Sequence, residues 1–273
     1  MTKYELNKEM MQDAINRVEE CCAELTTMVI TMPHLHIIST SNDGLNGDVA
    51  NKIDIATKFG IEATGHVVSP QNIMTKLTEL SKDLNNKVII QLPIEDEEDY
   101  PRLAEMIELL HPMQDVAGLK VPIIDITSMY DGNDFITHPT FSPGAKAALL
   151  LSMLMDAEIE GKEVAIVGKC AEVGLPITLM YNQLNSSVHT INHKSKGFPV
   201  THELCNADLI LNCDKDVYLP LIIGKNHINM MNGTVDTLVN LFTLYNCLAT
   251  QMTNELVMYN DKVKRGVTDN ELL

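Results

Sequence analysis

The sequence predicts an α/β protein built from two successive helix–strand layers. Amphipathic segments with helical spacing alternate with short, almost uninterrupted apolar runs, the pattern of parallel strands covered on both faces. The alternation occurs twice, with a stretch rich in Asp, Gly and Pro (121–140) between the two occurrences. The chain has 273 residues, enough for one large domain or two modest ones, each with its own core.

Leu6, Met10, Ile15, Val18, Cys22 and Leu25 recur at roughly helical intervals with charges between them, which predicts a helix over 6–26. After Pro33, His-Leu-His-Ile-Ile-Ser predicts a strand over 34–39. A polar loop from Thr40 to Gly44 leads to a helix over 47–59, stopped by Gly60. A third helix is expected over 70–85 and a buried strand over 87–92 (Lys-Val-Ile-Ile-Gln-Leu). The acidic run 95–99 suits a solvated helix start, where negative charge is favourable. The second layer opens with an apolar helix over 143–157, Pro143 suiting its first turn. A strand over 163–167 runs into Gly168, followed by a helix over 175–184, strands over 187–191 and 207–212, and a long apolar helix over 235–257.

Composition excludes several function classes. Lys and Arg number 20 against 37 Asp and Glu, a net charge of −17, so no nucleic-acid partner is expected, because phosphate neutralisation needs clustered basic residues. No apolar run approaches the ~18 residues of a membrane helix, so no membrane partner is expected. The polar first twenty residues lack the apolar core of a secretory signal. Six cysteines lie scattered with no C-x-x-C pair, neither a disulfide framework nor a zinc pattern. A reduced, cytoplasmic protein is the expectation.

Three segments could carry chemistry. Val164 to Pro176 reads as a strand, a glycine turn at Gly168 and a second glycine, Gly174, at a helix start. Glycine allows close backbone approach to a diphosphate, and a helix N-terminus offers unpaired N–H groups to an anion. The spacing is G-x5-G, without the usual G-x-G-x-x-G fingerprint, and strand–Gly–helix turns occur in any α/β fold. Asp48 and Lys52 stand one helical turn apart, which fits either a solvated surface pair or an acid–base pair. Gln91 closes an apolar strand at the end where parallel sheets bind ligands, although a strand-end polar residue also serves as a loop contact. His34 and His36 alternate on one strand with no third ligand suggested, and Cys205, Cys213, His189 and His193 fit no zinc spacing.

The segment Gly47-Asp48-Val49-Ala50-Asn51-Lys52, with Phe59-Gly60-Ile61 downstream, resembles the Y-V-x-x-K…G-[IF] segment of the bifunctional methylenetetrahydrofolate dehydrogenase/cyclohydrolase family. Ile90-Gln91-Leu92-Pro93 is similar to that family's V-Q-L-P, and the run from Leu110 to Leu119 to its I-x-P-x-K-D-V-D-G-F. Phe141-Ser142-Pro143-Gly144 stands where the family has C-T-P-x-G, Gly168 to Pro176 resembles its G-R-S-x-x-V-G-x-P loop, and Asn206 to Ile210 matches N-A-D-[IL]-[IL]. Six segments in order, over about residues 6–212, carry the resemblance.

The resemblance implies a folate-type α/β domain (1–140, completed by a C-terminal helix in 235–273) and a reduced Rossmann-like dinucleotide domain (141–234), commonly in a homodimer. It implies NADP-dependent oxidation of 5,10-methylenetetrahydrofolate and hydrolysis of the methenyl form to 10-formyltetrahydrofolate, with NAD as the other candidate cofactor. Lys52 would be the active-site lysine, Gln91 would hydrogen-bond and orient it, and Asp48 would share the site. Val49, Leu92, Asp115 and Gly233 would contact the folate-type substrate. Gly168, Lys169, Cys170 and Gly174 would hold the cofactor, together with His193 or, after a shift in register, Ser195. Lys169 can meet a 2′-phosphate as a point charge. Asp48 stands where the family has a tyrosine, Ala117 where it has an aspartate, and residues 232–237 are the one remnant of its P-G-G-V-G-P-M-T loop. A relative that binds such ligands without turnover, or an enzyme using Asp48 and Lys52 on another substrate, are the alternatives.

Overall fold

The computed structural model describes residues 8–40, 47–92, 103–120, 141–155, 157–168, 173–192, 201–214, 226–231 and 233–264. The acidic run 95–99 and the loop 121–140 lie outside them. The chain divides into two units, residues 20–117 with 244–273 and residues 1–19 with 118–243. These divisions differ from the 140/141 and 234/235 boundaries expected from the sequence. The first and last helices each run through a division, so helical periodicity carries no mark of it.

The first unit is a three-stranded parallel sheet in the order β2-β1-β3. The first helix, α1 (Lys8–Met28), precedes β1 (His34–Ser39), whose Leu35, Ile37 and Ile38 are fully buried, as a central strand requires. Helix α2 (Asp48–Lys58) crosses to β2 (Glu62–Val67), which pairs with β1 from His34↔Glu62 to Ser39↔Val67. Strand β3 (Asn86–Ile90) pairs with the other side of β1, from His34↔Asn86 to Ile38↔Ile90. The sequence does not announce β2: Glu-Ala-Thr-Gly-His-Val is an edge strand, half-exposed and without an apolar run. The expected helix over 70–85 is shorter, a 3-10 turn at Pro70–Asn72 and α3 (Ile73–Leu80). Beyond it Asp83 Oδ1 accepts from the Asn85 amide at 2.9 Å, a local bond that competes with helix continuation. Strand β3 likewise stops at Ile90 rather than residue 92. Helix α4 (Leu103–Glu108) follows the acidic run read as a helix start.

Polar groups seal the amino-terminal end of β3. Fully buried Lys87 donates through Nζ to the carbonyls of Leu84 (2.8 Å) and Met113 (3.1 Å), and burial lowers its pKa to about 8. Gln114 donates to the carbonyls of Leu80 and Asp83.

The second unit opens with α5 (Pro143–Leu154), capped by Ser142, whose hydroxyl accepts from the Ala145 amide. The helix ends three residues before the expected 157 and is buried from Pro143 through Ser152. A four-stranded parallel sheet follows in the order β5-β4-β6-β7, with β4 (Glu163–Val167), β5 (Ser187–Ile191), β6 (Leu209–Asn212) and β7 (Asn226–Asn229). The bounds of β4 and β5 match the sequence expectation. Helix α6 (Gly174–Gln183) links β4 to β5, and α7 (Thr201–Asn206), which was not expected, precedes β6. The buried Tyr181 hydroxyl lies 2.6 Å from Ser152 Oγ, joining α6 to α5.

Helix α8 (Gly233–Lys264) passes through both units and outruns the expected 235–257 at both ends. Lys262 and Lys264 in its last turn complement the helix dipole. Among the described residues no helix is long and apolar enough to cross a membrane. Cys21, Cys205 and Cys247 carry free thiols.

Candidate functional site

In each unit the strand order reverses beside a central strand. In the first, β1 leads through α2 to β2 on one side, while β3 adds on the other; ligands of open α/β sheets bind at the carboxyl ends of strands at such a reversal. The carboxyl ends of β1 and β3 therefore mark the first crevice. Asp48 opens α2 at this edge and is exposed, Val49 is fully buried and Lys52, one turn on, is half-buried. The Gln91 amide donates to the Ile38 carbonyl at 2.8 Å, extending the β1–β3 ladder one residue past β3. Its side-chain Nε2 donates to the Leu92 carbonyl at 3.2 Å, whereas Oε1 is buried with no hydrogen-bond partner among the described residues. The expected hydrogen bond from Lys52 to Gln91 is therefore not formed here, since Oε1 is the only acceptor that side chain has.

Asp115 is placed differently from the residues at that edge. It is buried and bridges Val88 in the middle of β3, three residues and so about 10 Å before the level of Gln91. Gly233 begins α8 in the second unit, where an added methyl would meet nothing closer than Asp236 Oδ2 at 3.9 Å.

In the second unit the reversal lies between β4 and β6. Gly168 follows β4 with φ +98°, and a methyl there would stand 2.9 Å from Asp214 Cβ and from the Cys213 backbone. Its lack of a side chain is thus required by the neighbouring strand end as well as by its dihedral. Gly174 is buried at the N-terminus of α6. Lys169, Cys170, His193 and Ser195 lie outside the described residues. A glycine turn and a helix start at the reversal fit a dinucleotide; the acidic residue touching the turn, Asp214, has the sign of its phosphates.

Sequence reasoning missed a third imidazole. His66 on β2 lies with Nε2 3.0 Å from His36 Nδ1, and His36 Nε2 lies 3.1 Å from Asn86 Oδ1. An amide oxygen only accepts, so His36 carries its proton on Nε2 and His66 donates to Nδ1. Burial, reinforced by neighbouring His34, lowers His36 to about 4, and burial with nearby Lys76 lowers His66. Among the described residues no group of three or more His, Cys, Asp or Glu could hold a metal ion. Recognising β2 would have revealed His66, and the strand-end rule applied to β6 would have singled out Asp214.

Two parallel sheets, each with its own order reversal, define a two-unit α/β protein. No protein-family profile matches the chain. The bifunctional protein FolD of Staphylococcus saprophyticus is 27% identical over 215 residues, spanning 76% of this chain and 70% of that protein. The structure of Trypanosoma brucei N5,N10-methylenetetrahydrofolate dehydrogenase-cyclohydrolase, complexed with NADP cofactor and an inhibitor, aligns with a TM-score of 0.66 at 14% identity, covering 88% of this chain and 96% of that one. The NAD-dependent 5,10-methylenetetrahydrofolate dehydrogenase of Saccharomyces cerevisiae aligns with a TM-score of 0.66 at 12% identity, covering 90% and 98%. The chain is thus similar in sequence to bifunctional FolD proteins and shares the fold of the methylenetetrahydrofolate dehydrogenase structures.

Proposed function

We propose that this chain acts in folate one-carbon metabolism, oxidising 5,10-methylenetetrahydrofolate with NADP, or with NAD, and hydrolysing the methenyl product to 10-formyltetrahydrofolate. The observation that carries this is the buried Oε1 of Gln91, without a partner among the described residues, at the first crevice, one strand from the segment that feeds α2 and Lys52. A buried acceptor without a donor costs about 1–3 kcal/mol, so the site gains when a ligand N–H or the lysine ammonium fills it.

Lys52 polarises the groups beside the one-carbon bridge and moves the proton released in hydrolysis. With ligand bound, Gln91 Oε1 would accept from that ammonium and hold it in line, while Val49 and Leu92 supply apolar contact and exclude water. Asp48 shares the mouth of this site. When bound, the nicotinamide dinucleotide accepts the hydride. Gly168 and Gly174 would hold its diphosphate with Lys169, Cys170 and His193 or Ser195, and Lys169 is the reason to rank NADP before NAD. The unit of β1–β3 is assigned to folate and that of β4–β7 to the dinucleotide, in a cytoplasmic homodimer. Purified protein given 5,10-methylenetetrahydrofolate and NADP should form NADPH; no reduction of NADP or NAD, with no hydrolysis of the methenyl form, would overturn the assignment.

A further inference from the structure

Strands β4 and β6 are paired up to Val167↔Asn212, and the Cys213 amide donates to the Val167 carbonyl at 2.7 Å, so the two chains leave the sheet side by side. Gly168 is where they touch: a Cβ on it would stand 2.9 Å from Asp214 Cβ. The carboxyl carbon of Asp214 is one bond further on. The position is a built one. The Asp214 amide donates to Oδ1 of buried Asn212 at 3.2 Å, and the Asn212 carbonyl accepts from the Met230 amide at 2.8 Å, tying the turn to the end of β7.

We propose that Asp214 is a specificity-determining residue that sets the charge preference of the second crevice; the inference rests on the dinucleotide assignment above. A diphosphate held at the Gly168 turn brings negative charge close to the Asp214 carboxylate, and like charges repel strongly where water is partly excluded. Ribose hydroxyls, by contrast, donate to a carboxylate. Asp214 therefore weakens a nucleotide ligand according to its phosphate charge at the turn and leaves its nucleoside part unpenalised.

Calorimetric titration of NADP, NAD and adenosine into wild-type protein, Asp214→Asn and Asp214→Ser tests this, with a cooperative melt confirming that each variant folds. Both neutral variants should bind both dinucleotides about five-fold tighter or more at low salt, with the gain shrinking at high salt. Adenosine, which carries no phosphate, should stay within about two-fold throughout. Dinucleotide binding by wild type that is unchanged or weaker in the variants, or adenosine gaining as much as the dinucleotides, overturns the role of Asp214 and leaves the dinucleotide assignment standing. Absence of dinucleotide binding in all three folded proteins overturns the assignment and this inference with it.

Discussion

Strand β1 in the first unit and β4 in the second hold equivalent places: each leads through a helix to a neighbour on one side, and the next strand of its sheet adds on the other. The mouths so formed carry different chemistry. The first has a half-buried lysine, Lys52, and a buried acceptor, Gln91 Oε1, that lacks a donor among the described residues. The second has a glycine in a left-handed turn with an acidic residue packed against it. Sheet order determines where a ligand can sit, and the residues just past the strand ends determine what it is. Variants at those strand ends should accordingly separate ligand chemistry from stability.

The largest effect is expected at Lys52. Lys52→Ala should lower methenyltetrahydrofolate hydrolysis by about 10²–10⁴-fold, the range for a positioned proton-transfer group, with little change in melting temperature because the side chain is half-exposed. Stability should be hit in the second unit instead. Gly168→Ala combines an unfavourable φ with a 2.9 Å clash and should cost about 3 kcal/mol in a denaturant melt. Gly60 in the first unit also has a positive φ, +71°, but open space around it, so Gly60→Ala should cost only about 1–2 kcal/mol. Equal costs would show that the strand-end contact does not matter.

Acid should loosen the first unit before the second. The unfolded His36 titrates near 6.5 and the folded one near 4, so below about 6.5 the unfolded chain takes up a proton that the folded site refuses. Stability should thus be complete above 6.5, fall as pH drops through that window and level off below about 4. Amide exchange of β1 and β2 against pH should show it, and His36→Asn should flatten the dependence; an unchanged slope would remove the imidazole chain as its cause. The smallest effect is at a cap: Ser142→Ala should cost about 1 kcal/mol by thermal melt, since one hydroxyl acceptor for the Ala145 amide is lost.

Legibility in the sequence followed burial. Strands β1, β4 and β5 were readable from short β-rich runs between turns, and α5 from an apolar stretch after Pro143. Strand β2 was not, because an edge strand with Gly65 and polar ends has no apolar signature, and its partner His66 went with it. The placement of Gln91 at a strand end was legible; the missing partner of its Oε1 was not, since that depends on packing across strands. The same holds for Gly168 and Asp214, whose contact joins residues far apart in sequence. The full burial of Lys146 within α5 also had no local signal.

The most direct test of the account is to add 5,10-methenyltetrahydrofolate to the purified chain and to Lys52→Ala while following loss of the methenyl chromophore. Rapid, saturable conversion by the wild-type protein and none above background by the variant is the predicted outcome. Conversion at the same rate by both proteins, or by neither, would contradict the placement of folate chemistry at the end of β1 and β3.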